Sequence, residues 1–236
     1  VTALAKLTLS LRIVGIRNDG YHLLDAEMVT ISLADRLEFS DGDGLEVIGG
    51  EGLEIPATAD NLVCRALDTV GRRARVRLWK RIPAGAGLGG GSADAAAVLR
   101  WAGSHDLLAA ARLGGDVPFC LVGGRARVTG IGDQVSPLPF EAVAGRPFTL
   151  LTPPFGVSTA AVYREWDRQG ALAAPGNNDL ERAALAVEPR LASWRDRLGD
   201  ATGIDPILAG SGSTWFVAGD YPGDGRLVVR VERPEA

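Results

Sequence analysis

Residues 82–99 read IPAGAGLGGGSADAAAVL, with five glycines among positions 85–91 and an alanine-rich run directly behind them. A backbone this bare reaches positive φ and lets other groups approach closely, at an entropic cost in folding. The preceding segment, ARVRLWKRIP, alternates in polarity and stops at Pro83, which predicts a strand. The following run predicts a helix from about Ser92 to Trp101. A strand, a loop without side chains and a helix start together make an anion cradle. Glycine amides can turn inward, and the helix terminus adds unpaired N–H groups and roughly half a positive charge. Such a cradle suits a polyphosphate. Ser92 can cap the helix or offer its hydroxyl to a phosphate or a metal.

Known glycine loops narrow the reading. A Walker loop requires G-x-x-x-x-G-K-[ST], and no lysine follows these glycines. The dinucleotide pattern G-x-G-x-x-G is formally met by Gly85, Gly87 and Gly90. However, the loop lies mid-chain, behind about 80 residues that do not resemble a βαβ unit, and no acid-ended strand follows about 20 residues later. A purely structural turn explains one or two glycines better than five.

Around the loop, residues 4–16, 26–40 (as one or two strands) and LEVIGG predict strands, and TADNLVCRALDTVG predicts a helix opening near Asp60 or Asn61. HDLLAAARLGG predicts a second short helix. DVPFCLVGGRARVTGIGDQVSPL reads as a strand pair with glycine turns. RPFTLLTPP starts a new strand, followed by three helical segments, TAAVYREWDRQG, NDLERAALAV and PRLASWRDRLG, and the strands GSTWFVAG and GRLVVRVE. Irregular mixing of the two element types predicts an α+β fold, with a boundary near residue 144 separating residues 1–144 from 145–236.

Composition limits the partners. The 236 residues are 46% hydrophobic, enough for one large or two small cores, and carry a net charge of −4, which does not favour a nucleic-acid partner but leaves room for a local basic pocket for a small phosphate. No apolar run approaches the roughly 20 residues of a membrane span, and the opening VTALAKLTLSLRIVG carries no cleavage signature. Cys64 and Cys120 stand in apolar contexts and read as buried free thiols, which with the rest predicts a cytoplasmic protein. His22 and His105 are the only histidines, and no zinc spacing exists. Of 25 basic residues only Lys6 and Lys80 are lysines, so each can mark a place that needs a compact ammonium rather than a planar fork.

The stretch PAGAGLGGGSADAAAVL resembles the ATP loop of the GHMP kinases, P-x-x-x-G-L-G-x-S-x-A. The doubled glycine before Ser92 is similar to the branch that phosphorylates a diphosphocytidyl sugar alcohol of the non-mevalonate isoprenoid route. AKLTLSLRIVGIRNDGYHLL, DNLVCRAL, LGGDVPF, GVSTAAVY, NDLE and GSGSTWF follow in that branch's order. The resemblance implies two domains, one like domain 2 of ribosomal protein S5 and one ferredoxin-like, with the active site in the cleft between them. It implies ATP with Mg2+ as cosubstrate and a small-molecule acceptor, in a monomer or homodimer. ATP would meet Pro83, Gly85, Ala86, Gly87, Leu88, Gly89, Gly90, Gly91 and Ser92, with Asn61 near the adenine, a place it can share with a helix N-cap. Asp116 would accept the acceptor's proton or hold its hydroxyl in line, help that is typically worth about 10²–10⁴-fold. Lys6 would stand beside it and stabilise charge that develops during transfer. Tyr21 and His22 would meet the cytosine, with Tyr163 as a second face, and Thr8 would contact the substrate. Ser92 is the one protein ligand suggested for the metal.

Taken without the resemblance, Asp116 also reads as a turn or cap aspartate, Lys6 as a solvated strand residue, Lys80 as a surface lysine on an edge strand, Tyr21 as an exposed turn aromatic and Tyr163 as helix packing. There are departures from the family. Thr8 stands where asparagine is usual, GGD replaces G-A-D, and the stretches 101–107 and beyond Gly219 look short. They leave open a GHMP kinase with another alcohol substrate, or a pseudokinase that only binds nucleotide.

Overall fold

The computed structural model describes residues 1–49, 58–171 and 176–234; Gly50, the last residue of the predicted LEVIGG strand, lies outside them. β1 (Thr2–Ile16) and β2 (His22–Ser40) form a long antiparallel hairpin, paired from Thr2–Arg36 to Ile16–His22 with register shifts at Leu4/Ala5, Thr8/Ser10 and Ile13/Gly15. The stretch predicted as one or two strands is thus a single strand. It is long because it is the spine of a six-stranded sheet: Leu24–Val29 pairs with β5 (Arg125–Gly130) and Arg36–Ser40 with β4 (Arg75–Lys80). β3 (Gly44–Gly49) lies parallel to β4, with α1 (Leu62–Thr69) on the chain between them, and β6 (Gln134–Pro137) pairs with β5.

Asn61 caps α1, its side chain accepting from the Val63 N–H at 2.9 Å. Replacing Asn61 by alanine is expected to cost about 1 kcal/mol. The check is a lower urea midpoint with an unchanged denaturant slope.

α2 (Gly90–Trp101) starts two residues ahead of the predicted Ser92. Gly89, in the left-handed region at φ 70°, is its N-cap, so Ser92 sits inside the first turn and is not the cap. Every residue from Ala93 to Leu99 is buried. This explains the alanine run: α2 packs against the sheet, α1 and the helix at Val117–Val122 at once, and only small side chains let that many neighbours approach one helix.

α3 (Leu107–Leu113) is capped by Asp106, which accepts from the Leu108 and Ala109 amides. The next segment corrects the sequence reading: Val117–Val122 is a helix, α4, not a strand. Pro118 falls in its first turn, where a missing N–H costs nothing. Val117–Leu121 are all buried, so the short apolar run carried no periodicity to tell helix from strand.

The second sheet holds β7 (Pro147–Leu151), β8 (Ile207–Leu208), β9 (Trp215–Ala218) and β10 (Arg226–Arg230), all antiparallel in the order β10-β7-β9-β8. The two-residue β8 was not predicted. α5 (Thr159–Arg168), α6 (Glu181–Val187) and α7 (Leu191–Thr202) lie on the chain between β7 and β8. The order is that of a ferredoxin-like sheet, but residues 219–225 stand where such a fold has its second helix. This short connection is anchored on β7: the buried Thr149 hydroxyl donates to Gly219 O at 2.9 Å and accepts from the Tyr221 amide at 3.0 Å.

One apolar core lies around α2 and the first sheet, and a second joins α5–α7 to β9. Residues 177–179 tie the two together. The Leu11 amide donates to Asn177 O and the Asp179 amide to Leu11 O, while the Asn178 side chain donates to Leu208 O at 2.9 Å and Gly210 O at 2.6 Å. The glycine turn 208–213 is thereby held against β1. Among the described residues no helix is long and apolar enough to cross a membrane. Both cysteines are free; Cys120 is buried as expected, but Cys64, on a shallow face of α1, is only half-buried.

Candidate active site

A cleft of about 490 Å³ opens where the glycine loop, β1 and the turn at Gly210 and Ser211 meet. Pro83, Gly85, Ala86, Gly87, Leu88, Gly89, Gly90, Gly91 and Ser92 all line it, as do Asn61, Lys6, Thr8, Asp116 and Tyr163. The loop alternates two jobs. Ala86 and Leu88 bury their side chains, while Gly85, Gly87 and Gly89 take φ near 70°. Three of its carbonyls are occupied by neighbouring segments: Gly85 O accepts from Val157 N, Ala86 O from Thr214 N and Leu88 O from Lys6 N, at 3.0–3.2 Å. The helix start behind it supplies first-turn amides that no helical carbonyl can reach. The sequence-level reason for the glycines is also steric. A Cβ at Gly87 would fall 2.0 Å from Ala209 O, and one at Gly89 would fall 2.7 Å from Lys6 Cγ.

Lys6, on β1, is buried rather than solvated, 4% exposed. Its Nζ lies 3.4 Å from Asp116 Oδ2 and donates to Thr8 Oγ1 at 3.1 Å. Asp116 directly precedes α4, yet its side chain makes no capping bond; it is 35% exposed and turned to the cleft. The structure therefore brings Asp116 to Lys6 and Thr8, from which it is distant in sequence. Thr8, where the family pattern has asparagine, is buried and engaged with the ammonium.

Lys80 corrects the reading of a surface lysine on an edge strand. β4 lies between β3 and β2, and Lys80 is buried, bonded to Asp94 Oδ2 at 2.7 Å and to Asp35 Oδ2. Burial alone would lower the ammonium's pKa, but Asp94 and Asp35 outweigh it and raise it. The Asp94 carboxyl is pushed up to about 7, first by burial, then by the neighbouring Asp35, against the pull of Lys80. Asp94 and Asp35 were missed from sequence. The available signal was one acid inside an otherwise alanine-rich, buried helix.

The aromatic residues divide. Tyr163 lines the cleft, and burial, with Asp116 nearby, raises its phenol pKa. His22 lies against it, ring centroids 4.7 Å apart, with Trp166 edge-on at 5.5 Å and Asp167 Oδ1 at 2.8 Å from Nε2. That spacing leaves no room for a third ring between His22 and Tyr163. Tyr21 is 58% exposed at the hairpin end, stacked under the Arg17 guanidinium, and neither it nor His22 lines the cleft. Opposite the loop, Thr159 and Ser211 share a 2.8 Å hydroxyl hydrogen bond at the cleft wall. Among the described residues no cluster of three or more histidine, cysteine or acidic side chains could hold a metal.

The family of the GHMP kinases N terminal domain matches residues 59–124, from just before α1 through α4. The 4-diphosphocytidyl-2-C-methyl-D-erythritol kinase of Ruegeria pomeroyi is 37% identical over 97% of this chain and 91% of its own. That of Moorella thermoacetica is 36% identical over 98% and 93%. A crystal structure of 4-(cytidine 5'-diphospho)-2C-methyl-D-erythritol kinase superposes with a TM-score of 0.70 at 33% identity, covering 92% of this chain and 88% of that one. A crystal structure of mevalonate kinase, at 13% identity and a TM-score of 0.59, shares the fold. With the loop, the cleft and near full-length relatives in agreement, the chain belongs to the GHMP kinases, within the family of the 4-diphosphocytidyl-2-C-methyl-D-erythritol kinases.

Proposed function

We propose that this kinase transfers the γ-phosphoryl group of ATP to a hydroxyl of 4-diphosphocytidyl-2-C-methyl-D-erythritol. The observation that carries the reading is the Lys6–Asp116 pair, 3.4 Å apart and facing the same cleft that the glycine loop lines. Phosphoryl transfer asks a protein mainly for alignment and charge stabilisation. The loop's free amides and the start of α2 hold the nucleotide's phosphates, with Asn61 towards the adenine. Asp116 orients the acceptor hydroxyl and takes its proton, and the Lys6 ammonium stabilises negative charge between them. Thr8 holds Lys6 in place from the same strand. The two sheets form the two domains, divided near residue 144, with reacting groups contributed mainly by the first and a wall of the cleft by the second.

Bound Mg2+ would neutralise phosphate charge. The cleft offers it the Ser92 hydroxyl but, among the described residues, no acidic cage, which suits an ion that takes most of its ligands from phosphates and water. The cytosine is assigned to the hairpin end, on the exposed Tyr21 ring, next in sequence to His22, which packs against Tyr163. The protein works in the cytoplasm, as monomer or homodimer. The test is a coupled ADP-release assay offering the diphosphocytidyl substrate beside galactose, homoserine and mevalonate. Turnover with the first alone is expected. Turnover only with another alcohol, or ATP binding without any turnover, would overturn the assignment.

A further inference from the structure

Beneath the glycine loop lies a charged cluster that the mechanism above does not use. Asp35, on β2 and fully buried, accepts the Arg81 and Ile82 amides through Oδ1, at 2.5 and 2.9 Å, so it grips the two residues that lead into Pro83. Its Oδ2 meets Lys80, which also bonds Asp94 in the second turn of α2. The connection therefore runs from the entry of the loop, through Asp35 and Lys80, to the helix that leaves it. It brackets residues 83–89. Gly90 makes room for it: a Cβ there would lie 3.2 Å from Lys80 Nζ and 3.0 Å from Ile82 Cγ2.

For stability alone this arrangement is poor. One ammonium serves two buried carboxylates, and Asp94 Oδ1 has no hydrogen-bond partner while its residue is only 3% exposed at the cleft wall. An unsatisfied buried oxygen is costly, and apolar replacements of buried charges are often neutral or stabilising. Lys80 would keep Asp35 if Asp94 were apolar, so the second carboxylate is not needed to neutralise the lysine. What Asp94 adds is the last link of the strut.

We propose that Asp94, acting through Lys80, is a positioning residue for the nucleotide: it fixes the separation between the loop's entry and the first turn of α2, so that the amides of residues 85–91 keep the spacing of a triphosphate. This rests on the ATP-loop reading above. Misplacing a binding group by about 1 Å costs up to roughly 10²-fold in well-aligned sites.

The experiment compares the unaltered protein with Asp94→Leu and Asp94→Asn, measuring melting temperature, steady-state kinetics and calorimetric binding of the β,γ-imido analogue of ATP. Asp94→Leu is expected to melt no lower than the unaltered protein. Its KM for ATP and its dissociation constant for the analogue should rise about tenfold or more, with kcat at saturating ATP and the acceptor's KM within about threefold. Asp94→Asn keeps an acceptor for Lys80 and is expected to stay within about threefold on nucleotide binding. Unchanged nucleotide binding by Asp94→Leu, or a drop in melting temperature with kcat and both KM values worsening together, would overturn the proposal. Failure of the unaltered protein to bind the analogue would overturn the ATP-loop reading, and this inference with it.

Discussion

Asp116→Asn is expected to lower kcat by about 10²–10⁴-fold while leaving ATP-analogue binding and melting temperature close to those of the unaltered protein. The separation of effects follows from what Asp116 touches. Its carboxylate makes no bond to the start of α4, so loss of its charge leaves that helix intact. Its ion pair with the buried Lys6 ammonium spans 3.4 Å, and asparagine keeps an amide oxygen there while Thr8 Oγ1 still accepts from the ammonium, so the charge is not left without an acceptor. What remains is a carboxylate oxygen presented to the cleft beside a buried ammonium, and asparagine keeps its shape but cannot take a proton. Single-turnover rates would show the loss in the chemical step. Survival of near-normal turnover would remove Asp116 from the reaction and end the proposed mechanism.

Gly87→Ala should have the second large effect, on both folding and nucleotide affinity. Gly87 sits at φ 76°, where a side chain is strained, and the added carbon would lie 2.0 Å from Ala209 O and 2.8 Å from Gly212 O. Both are backbone atoms that cannot rotate away, so either the loop or the turn at 208–213 must shift. Left-handed strain and overpacking together predict a loss of about 2–5 kcal/mol. Any protein that still folds should bind the ATP analogue at least about tenfold more weakly. Gly91→Ala is the control. Gly91 has no positive φ and a Cβ there would meet only Leu62 Cδ1 at 3.4 Å, so its melting temperature should barely move. Equal stability of the two variants would show that the loop does not pack against the second sheet as described.

Local chemistry was legible before any fold was known. The glycines, the strand before them and the alanine run behind them marked a loop between β4 and α2, because the conformational freedom of glycine and the helix preference of alanine act within a few residues. Asn61 was readable as a cap for the same reason. The ordered motifs pointed to the GHMP kinases, to which the relatives also assign the chain. Tertiary structure decided what neighbours do. Val117–Val122 could be assigned as a helix only in the fold, because the buried apolar run Val117–Leu121 has no periodicity of its own. Lys80 lost its place at the surface because β4 is flanked on both sides, and only the packing of β2 and α2 brought Asp35 and Asp94 to it. The facing of Lys6 and Asp116, 110 residues apart, likewise arises where β1 and α4 pack beside the loop. Propensity belongs to the chain locally, whereas burial and electrostatic partnership belong to contacts between segments that meet only in the fold.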